Sequence, residues 1–136
     1  LLVVLLSRRA RTEKFYWLLL GGGAAVVARF GMTELIRLFY QRSRPFTVYP
    51  ANQLVVPDSV WSFPSGHSVL FFALALVAWR FNKKLGWAML GGAGLIGLSR
   101  VIGGAHYLSD ILAGAAIGLG VAWVFCRLVR RPANSS

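Results

Sequence analysis

Acidic side chains are scarce in this chain: 4 Asp and Glu stand against 15 Lys and Arg, a net charge of +11 over 136 residues. So few carboxylates offer no cluster to hold a divalent cation. Cysteine is scarcer still. Cys126 is alone inside an apolar run, which excludes an intramolecular disulfide and any CxxC metal or redox motif. It reads as a small buried hydrophobe. Period-two alternation of polar and apolar residues is missing too, which argues against long strands and membrane β-barrels. Charge as a whole is thin, at 14% of residues. The basic residues come in short runs between apolar segments, so nucleic acid is not the expected partner.

What fills the chain instead is hydrocarbon. Apolar residues make up 57% of it, above the ~45–50% of a soluble domain. Four segments, Phe15 to Leu38, Ser65 to Phe81, Leu85 to Ile102 and Tyr107 to Val129, each hold roughly 17–24 residues, the length of a spanning helix. Backbone groups in lipid must bond internally, and a helix does this alone. The expected fold is all-α: an integral membrane helical bundle of about four spanning helices, one domain over residues 1–136. Leu1 to Leu6 is too short to span, since ~20 residues are needed. It lacks the charged start of a signal peptide. It reads as the stub of another helix, so the domain is expected to lack its N-terminal helices.

The charges orient the bundle. Arg8, Arg9, Arg11 and Lys14 precede the first long span. Arg80, Lys83 and Lys84 sit between the second and third, and Arg127, Arg130 and Arg131 follow the fourth. Alternating helices put all three groups on one side, which the positive-inside rule makes cytoplasmic. Trp17, Trp79, Trp87 and Trp123 lie near the same ends, as an interfacial belt does. The region from Arg37 to Pro64, Arg100, His106 and Asp110 then face the extracytoplasmic side. The link from Phe39 to Pro64 is long for a bundle. It reads either as a loop resting on the membrane or as a lid that guides a lipid inward.

Three polar clusters meet on that face. The first is "RLFYQRSRP", with Arg37, Arg44 and Pro45. The second is Pro64-Ser65-Gly66-His67. The third is "SRVIGGAHYLSD", with Ser99, Arg100, His106 and Asp110. Singly they are modest signals: snorkelling arginines, a turn with a helix cap, a surface pair at i, i+4. Together they fit phosphoryl transfer. Arg37, Arg44 and Arg100 can hold phosphate oxygens with guanidinium forks. The Ser65 hydroxyl and the N–H groups of Gly66 and His67 open a helix N-terminus, which favours an anion. Gly66 lets backbone approach closely. Two histidines can divide the chemistry, one attacking phosphorus and one protonating the leaving oxygen. Asp110 can hold one nitrogen of His106 and aim the other.

This set resembles the type 2 phosphatidic acid phosphatase superfamily. The superfamily joins membrane lipid phosphatases to glucose-6-phosphatase and vanadium haloperoxidases. Its first motif is Lys, six residues, Arg-Pro, matched by Arg44 and Pro45 with Arg37 in the Lys position. Its second is Pro-Ser-Gly-His, matched by Pro64 to His67. Its third is Ser-Arg, five residues, His, three residues, Asp, matched by Ser99, Arg100, His106 and Asp110. The resemblance implies His106 as the nucleophile that forms a phosphohistidine, Asp110 as its orienting partner and His67 as the general acid. It implies a phosphate cradle of Arg37, Arg44, Ser65, Gly66 and Arg100, with no metal and no cofactor. Within the superfamily the chain looks like bacterial undecaprenyl-diphosphate phosphatases, multi-pass proteins of the plasma membrane with an extracytoplasmic site. Phosphatidylglycerophosphate and phosphatidate phosphatases are the alternatives. The expected partners are a lipid phosphate substrate and membrane lipids, with the oligomeric state open. A vanadate-holding haloperoxidase is a rival reading, but those enzymes are soluble. A non-enzymatic lipid-phosphate binding or transport protein is the rival from another class.

Other signals carry less. "GAGLIG" at Gly92 to Gly97 matches a dinucleotide pattern but follows no strand. Glycines 91, 92, 94, 97, 114, 118 and 120 are expected to let helices pack closely. The Gly114 and Gly118 pair fits internal packing or dimerisation alike. The sequon at Asn134 is terminal and on the cytoplasmic side of this topology. Arg29 lies inside the first long span, with Glu34 five residues on, an imperfect helical partner. Arg29 reads either as a structural pair facing missing helices or as a contact near the substrate.

Overall fold

The computed structural model describes residues 11–49 and 60–129. Leu1 to Leu6, Arg8, Arg9, Arg130, Arg131, the middle of the long link and the sequon at Asn134 lie outside the described residues. The first rod begins with α1 (Arg11–Val26), passes through a π-helical turn (Val27–Met32) and ends with α2 (Thr33–Phe39). A short helix, α3 (Pro45–Val48), follows. Three long helices complete the described chain: α4 (Gly66–Phe81), α5 (Lys83–Ile102) and α6 (Leu108–Leu128). Phe15–Phe39, α5 and α6 are long and apolar enough to cross a membrane, and α4 is an apolar helix of 16 residues. The described residues contain no strand, and the all-α bundle is as expected.

Local chemistry sets the helix ends. Ser65 caps α4, its hydroxyl oxygen accepting from the Ser68 N–H at 3.4 Å. Asn82 closes α4 and caps α5, its Oδ1 accepting from the Leu85 N–H at 3.2 Å. A single residue therefore turns the chain, and α4 and α5 must run antiparallel. Gly86 makes the hairpin tight, since a Cβ there would run into the Trp79 backbone. On α6, a Cβ at Gly114 would meet the Ser65 carbonyl oxygen at 2.8 Å, and one at Gly118 would meet the Val69 carbonyl oxygen. This glycine pair packs α6 onto α4 within the chain. Gly97 is also closely packed, against Ile111. Gly91, Gly92, Gly94 and Gly120 depart from expectation: nothing among the described residues lies within 4 Å of a Cβ built there.

Helix α4 is the centre, touching α1, the π turn, α5 and α6. Trp17, Leu20, Ala24 and Ala28 of the first rod pack with Val69, Ala73 and Val77 of α4 and Ala122 of α6. Small residues dominate because apolar lipid gives no hydrophobic reward for helix contact, so close backbone packing supplies it. Trp17 corrects the interfacial belt: it is buried, with its ring edge-on to Phe81 at 5.5 Å. Trp87 and Trp123 are exposed as a belt requires. Cys126 is half-buried beside the same core. This winding brings the ends of α2 and α5 to the starts of α4 and α6. The far end of the bundle holds Arg80, Lys83, Lys84 and Arg127 at the other ends of α4, α5 and α6.

Candidate active site

The turn between α5 and α6 is short and tightly bonded. The Arg100 carbonyl accepts from the N–H groups of Ala105 and His106 at 3.1 and 3.2 Å. Gly104 sits at φ 70°, a region glycine enters without strain. The chain thus folds back and presents His106 just ahead of α6. Asp110 reaches back from the first turn, its Oδ2 accepting the Tyr107 N–H at 2.9 Å.

His106 is buried, and its two ring nitrogens have different neighbours. Arg44 Nη1 lies 3.3 Å from Nε2. A guanidinium only donates, so Nε2 must accept and the proton belongs on Nδ1. Nδ1 faces Asp110 Oδ2 at 3.6 Å. That is an ion-pair separation, longer than a hydrogen bond. The expected bond from His106 to Asp110 is therefore not closed here, because other donors hold the carboxylate. Arg42 Nη1 donates to Asp110 Oδ1 at 2.9 Å and to Ser109 Oγ at 2.7 Å. Its guanidinium lies 3.8 Å from the centre of the Tyr107 ring.

Backbone and side-chain bonds stitch the three motifs together. Ser65 donates its N–H to the Asp110 carbonyl at 3.1 Å. Arg37 Nη2 donates to the Pro64 carbonyl at 3.3 Å. Arg44 also donates to the carbonyls of Ala105 at 2.9 Å and Trp61 at 3.1 Å. Ser62 ties the Pro64 turn to the first motif through its N–H to the Arg42 carbonyl at 2.8 Å. Arg100 Nη2 lies 3.0 Å from both ring nitrogens of His67, and can donate only to the one without a proton. The Ser65 hydroxyl oxygen already accepts from Ser68 Oγ at 3.2 Å as well as from the Ser68 N–H. Gly66 is buried at the first position of α4.

Arrangements of this kind suit a tetrahedral oxyanion: cations and a helix N-terminus around two imidazoles. The sequence profile of the PAP2 superfamily matches residues 14–133. The chain belongs to the PAP2 superfamily. Its curated relatives include the bacitracin transport permease protein BcrC of Bacillus licheniformis, 36% identical over 75% of this chain and 51% of that protein. Another is the undecaprenyl-diphosphatase BcrC of Bacillus subtilis, 30% identical over 77% of this chain and 54% of that protein. This PAP2 chain thus spans about half the length of these relatives. The fold also resembles the crystal structure of a transmembrane PAP2-type phosphatidylglycerolphosphate phosphatase from Bacillus subtilis. The TM-score is 0.60 at 24% identity, over 98% of this chain and 66% of that one. Spanning-capable helices in a PAP2 chain with these relatives make it a multi-pass membrane protein.

Sequence reasoning missed Arg42 in this PAP2 site. It falls inside the spacer of the first motif, where the pattern assigns no residue. A second arginine in "QRSR", two residues before the motif arginine, was the available signal. Arg29 proves to lie beside the second motif: a Cβ on Gly66 would meet Arg29 Nε at 2.5 Å.

Proposed function

We propose that this chain is the catalytic part of a membrane phosphatase that releases phosphate from a lipid phosphate or diphosphate. The observation that carries the reading is His106, buried, with a guanidinium on Nε2 and a carboxylate behind Nδ1. The Nε2 lone pair attacks phosphorus, and the P–O bond to the leaving group breaks. His67 gives its proton to that oxygen. Water then cleaves the phosphohistidine, releasing inorganic phosphate. Arg37, Arg44 and Arg100 hold the equatorial oxygens, where charge spreads during transfer. A phosphate between Arg100 and His67 supplies the negative charge that accommodates two adjacent cations.

Undecaprenyl diphosphate is the favoured substrate, because the relative from Bacillus subtilis is named for hydrolysing it. Phosphatidylglycerophosphate and phosphatidate are the alternatives. The site residues lie at the bundle end opposite Arg80, Lys83, Lys84 and Arg127, which supports an extracytoplasmic site by the positive-inside rule. A bacterial plasma membrane is the proposed location, supported by the bacterial sources of the same relatives. The second reading, a transport or binding protein, draws on the permease name of the Bacillus licheniformis relative. Phosphate release from the three lipids by the full-length protein in detergent separates the two. Release from undecaprenyl diphosphate supports the favoured reading, and binding without release supports the rival.

A further inference from the structure

We propose that Arg29 and Glu34 are positioning residues for the phosphate cradle, acting through Arg37 and Gly66. This rests on the phosphatase reading above. An arginine in an apolar rod is costly unless it is engaged. Glu34 Oε1 accepts from Arg29 Nη1 at 3.0 Å and from Arg37 Nη1 at 2.9 Å. One carboxylate oxygen therefore joins two guanidiniums, and the trio keeps a net positive charge.

The π turn makes this possible. In an α-helix, residues five apart are rotated by about 140° and do not face each other. In a π turn the i, i+5 pair closes the hydrogen-bonded ring. Thr33 marks that geometry, donating its N–H and its Oγ1 to the Ala28 carbonyl, the latter at 3.0 Å. The wider turn Val27–Met32 lies between Arg29 and Glu34 and brings their side chains together.

Both ends of the trio reach the Pro64-to-His67 turn. Arg37, nearly buried, has Nη2 on the Pro64 carbonyl at 3.3 Å while Glu34 holds Nη1. The Arg29 side chain lies flat on Gly66, where a Cβ would meet Nε, Cζ and Cδ at 2.5, 2.8 and 3.0 Å. Arg29, Glu34, Arg37, Pro64 and Gly66 thus close a ring that ties one phosphate-holding arginine to the mouth of α4. Glu34 is half-exposed, lining an open cavity of about 410 Å³ with Arg37, Gln41 and Trp61. The trio therefore sets where the Arg37 fork stands relative to the Gly66 and His67 N–H groups. Its loss weakens phosphate binding more than it slows the chemical step.

The test uses Glu34→Gln, Arg29→Met, the double variant and Arg29→Lys in the full-length protein in detergent. KM and kcat are measured with undecaprenyl diphosphate, phosphatidylglycerophosphate and phosphatidate, and orthovanadate binding by calorimetry. Glu34→Gln and Arg29→Met should each raise KM and the vanadate Kd about tenfold, with kcat changed by less than about threefold. The double variant should be no worse than either single one, because the pair acts as a unit, and Arg29→Lys should recover part of the loss. Should Arg29→Met fail to fold, Glu34→Asp is the second variant, expected to shift KM in the same direction by less. Vanadate affinity within about twofold of the parent, affinity that rises, or additive effects would overturn the proposal. A parent that binds vanadate without releasing phosphate, with variants that bind it more weakly, upholds the positioning role and sinks the phosphatase reading.

Discussion

Ser65 donates its backbone N–H to the carbonyl oxygen of Asp110 at 3.1 Å, and both residues are fully buried. One bond thus registers the cap of α4 against the first turn of α6. The Pro64-to-His67 turn and the His106-to-Asp110 pair cannot shift independently. Closeness at Gly114 permits it, since any side chain there would press on the Ser65 carbonyl.

The proposed nucleophile is the first test of this arrangement. His106→Ala removes the imidazole that Arg44 meets at Nε2 and Asp110 faces at Nδ1. Phosphate release should fall by at least about 10³-fold. An acid-labile phosphoprotein should form in the parent during turnover and be absent from the variant. Near-parental turnover by His106→Ala would exclude the role.

His67 answers to pH. Attack requires His106 without a proton on Nε2, and leaving-group protonation requires His67 with one. The rate should therefore fall toward alkali as His67 loses its proton. His67→Gln should lower kcat about 10²–10⁴-fold and remove the alkaline limb. Aryl phosphates with good leaving groups should lose much less. An alkaline limb that survives in His67→Gln assigns the acid elsewhere.

Arg42 is tested by length-matched truncation. Arg42→Met keeps an apolar stem against Tyr107 but takes the donor from Asp110, whose side chain is fully buried. A misplaced orienting group can cost on the order of 10² in rate, so kcat should drop about 10–100-fold with KM little changed. Arg42→Lys should recover part of the rate, because an ammonium lacks the planar stacking face. A kcat equal to the parent's would show that Asp110 is held without Arg42.

The glycines divide into two classes that thermal unfolding in detergent can separate. Gly114→Val and Gly118→Val press side chains into the α4 backbone and should lower Tm and activity together. Gly91→Ala and Gly92→Ala meet nothing within 4 Å among the described residues. They should leave Tm unchanged or slightly raised, as a helix interior gains from alanine by ~0.5–1 kcal/mol. Equal losses in both classes would contradict the packing described.

Much of this was legible before any coordinates, because the signals are local. Runs of apolar residues separated by basic clusters define the rod from Arg11 to Phe39 and helices α4 to α6. Ser65 announces the start of α4 by its side-chain oxygen. Motif spacings placed His67, His106 and the motif arginines at helix ends, since the charges sit where apolar runs stop.

Tertiary structure decided the rest. The π turn is invisible in "VARFGM", so Arg29 and Glu34 looked misaligned until the wider turn brought them together. Arg42 gained its place only when the first motif folded onto α6. Trp17 went into the core and not to the interface because Phe81 of α4 was there to meet its edge. Which glycines matter depended on which helix faces touch. These outcomes rest on contacts between residues far apart along the chain, whose energies no local pattern encodes. Hydropathy and spacing state what each segment must bury, and only the assembled bundle states against what.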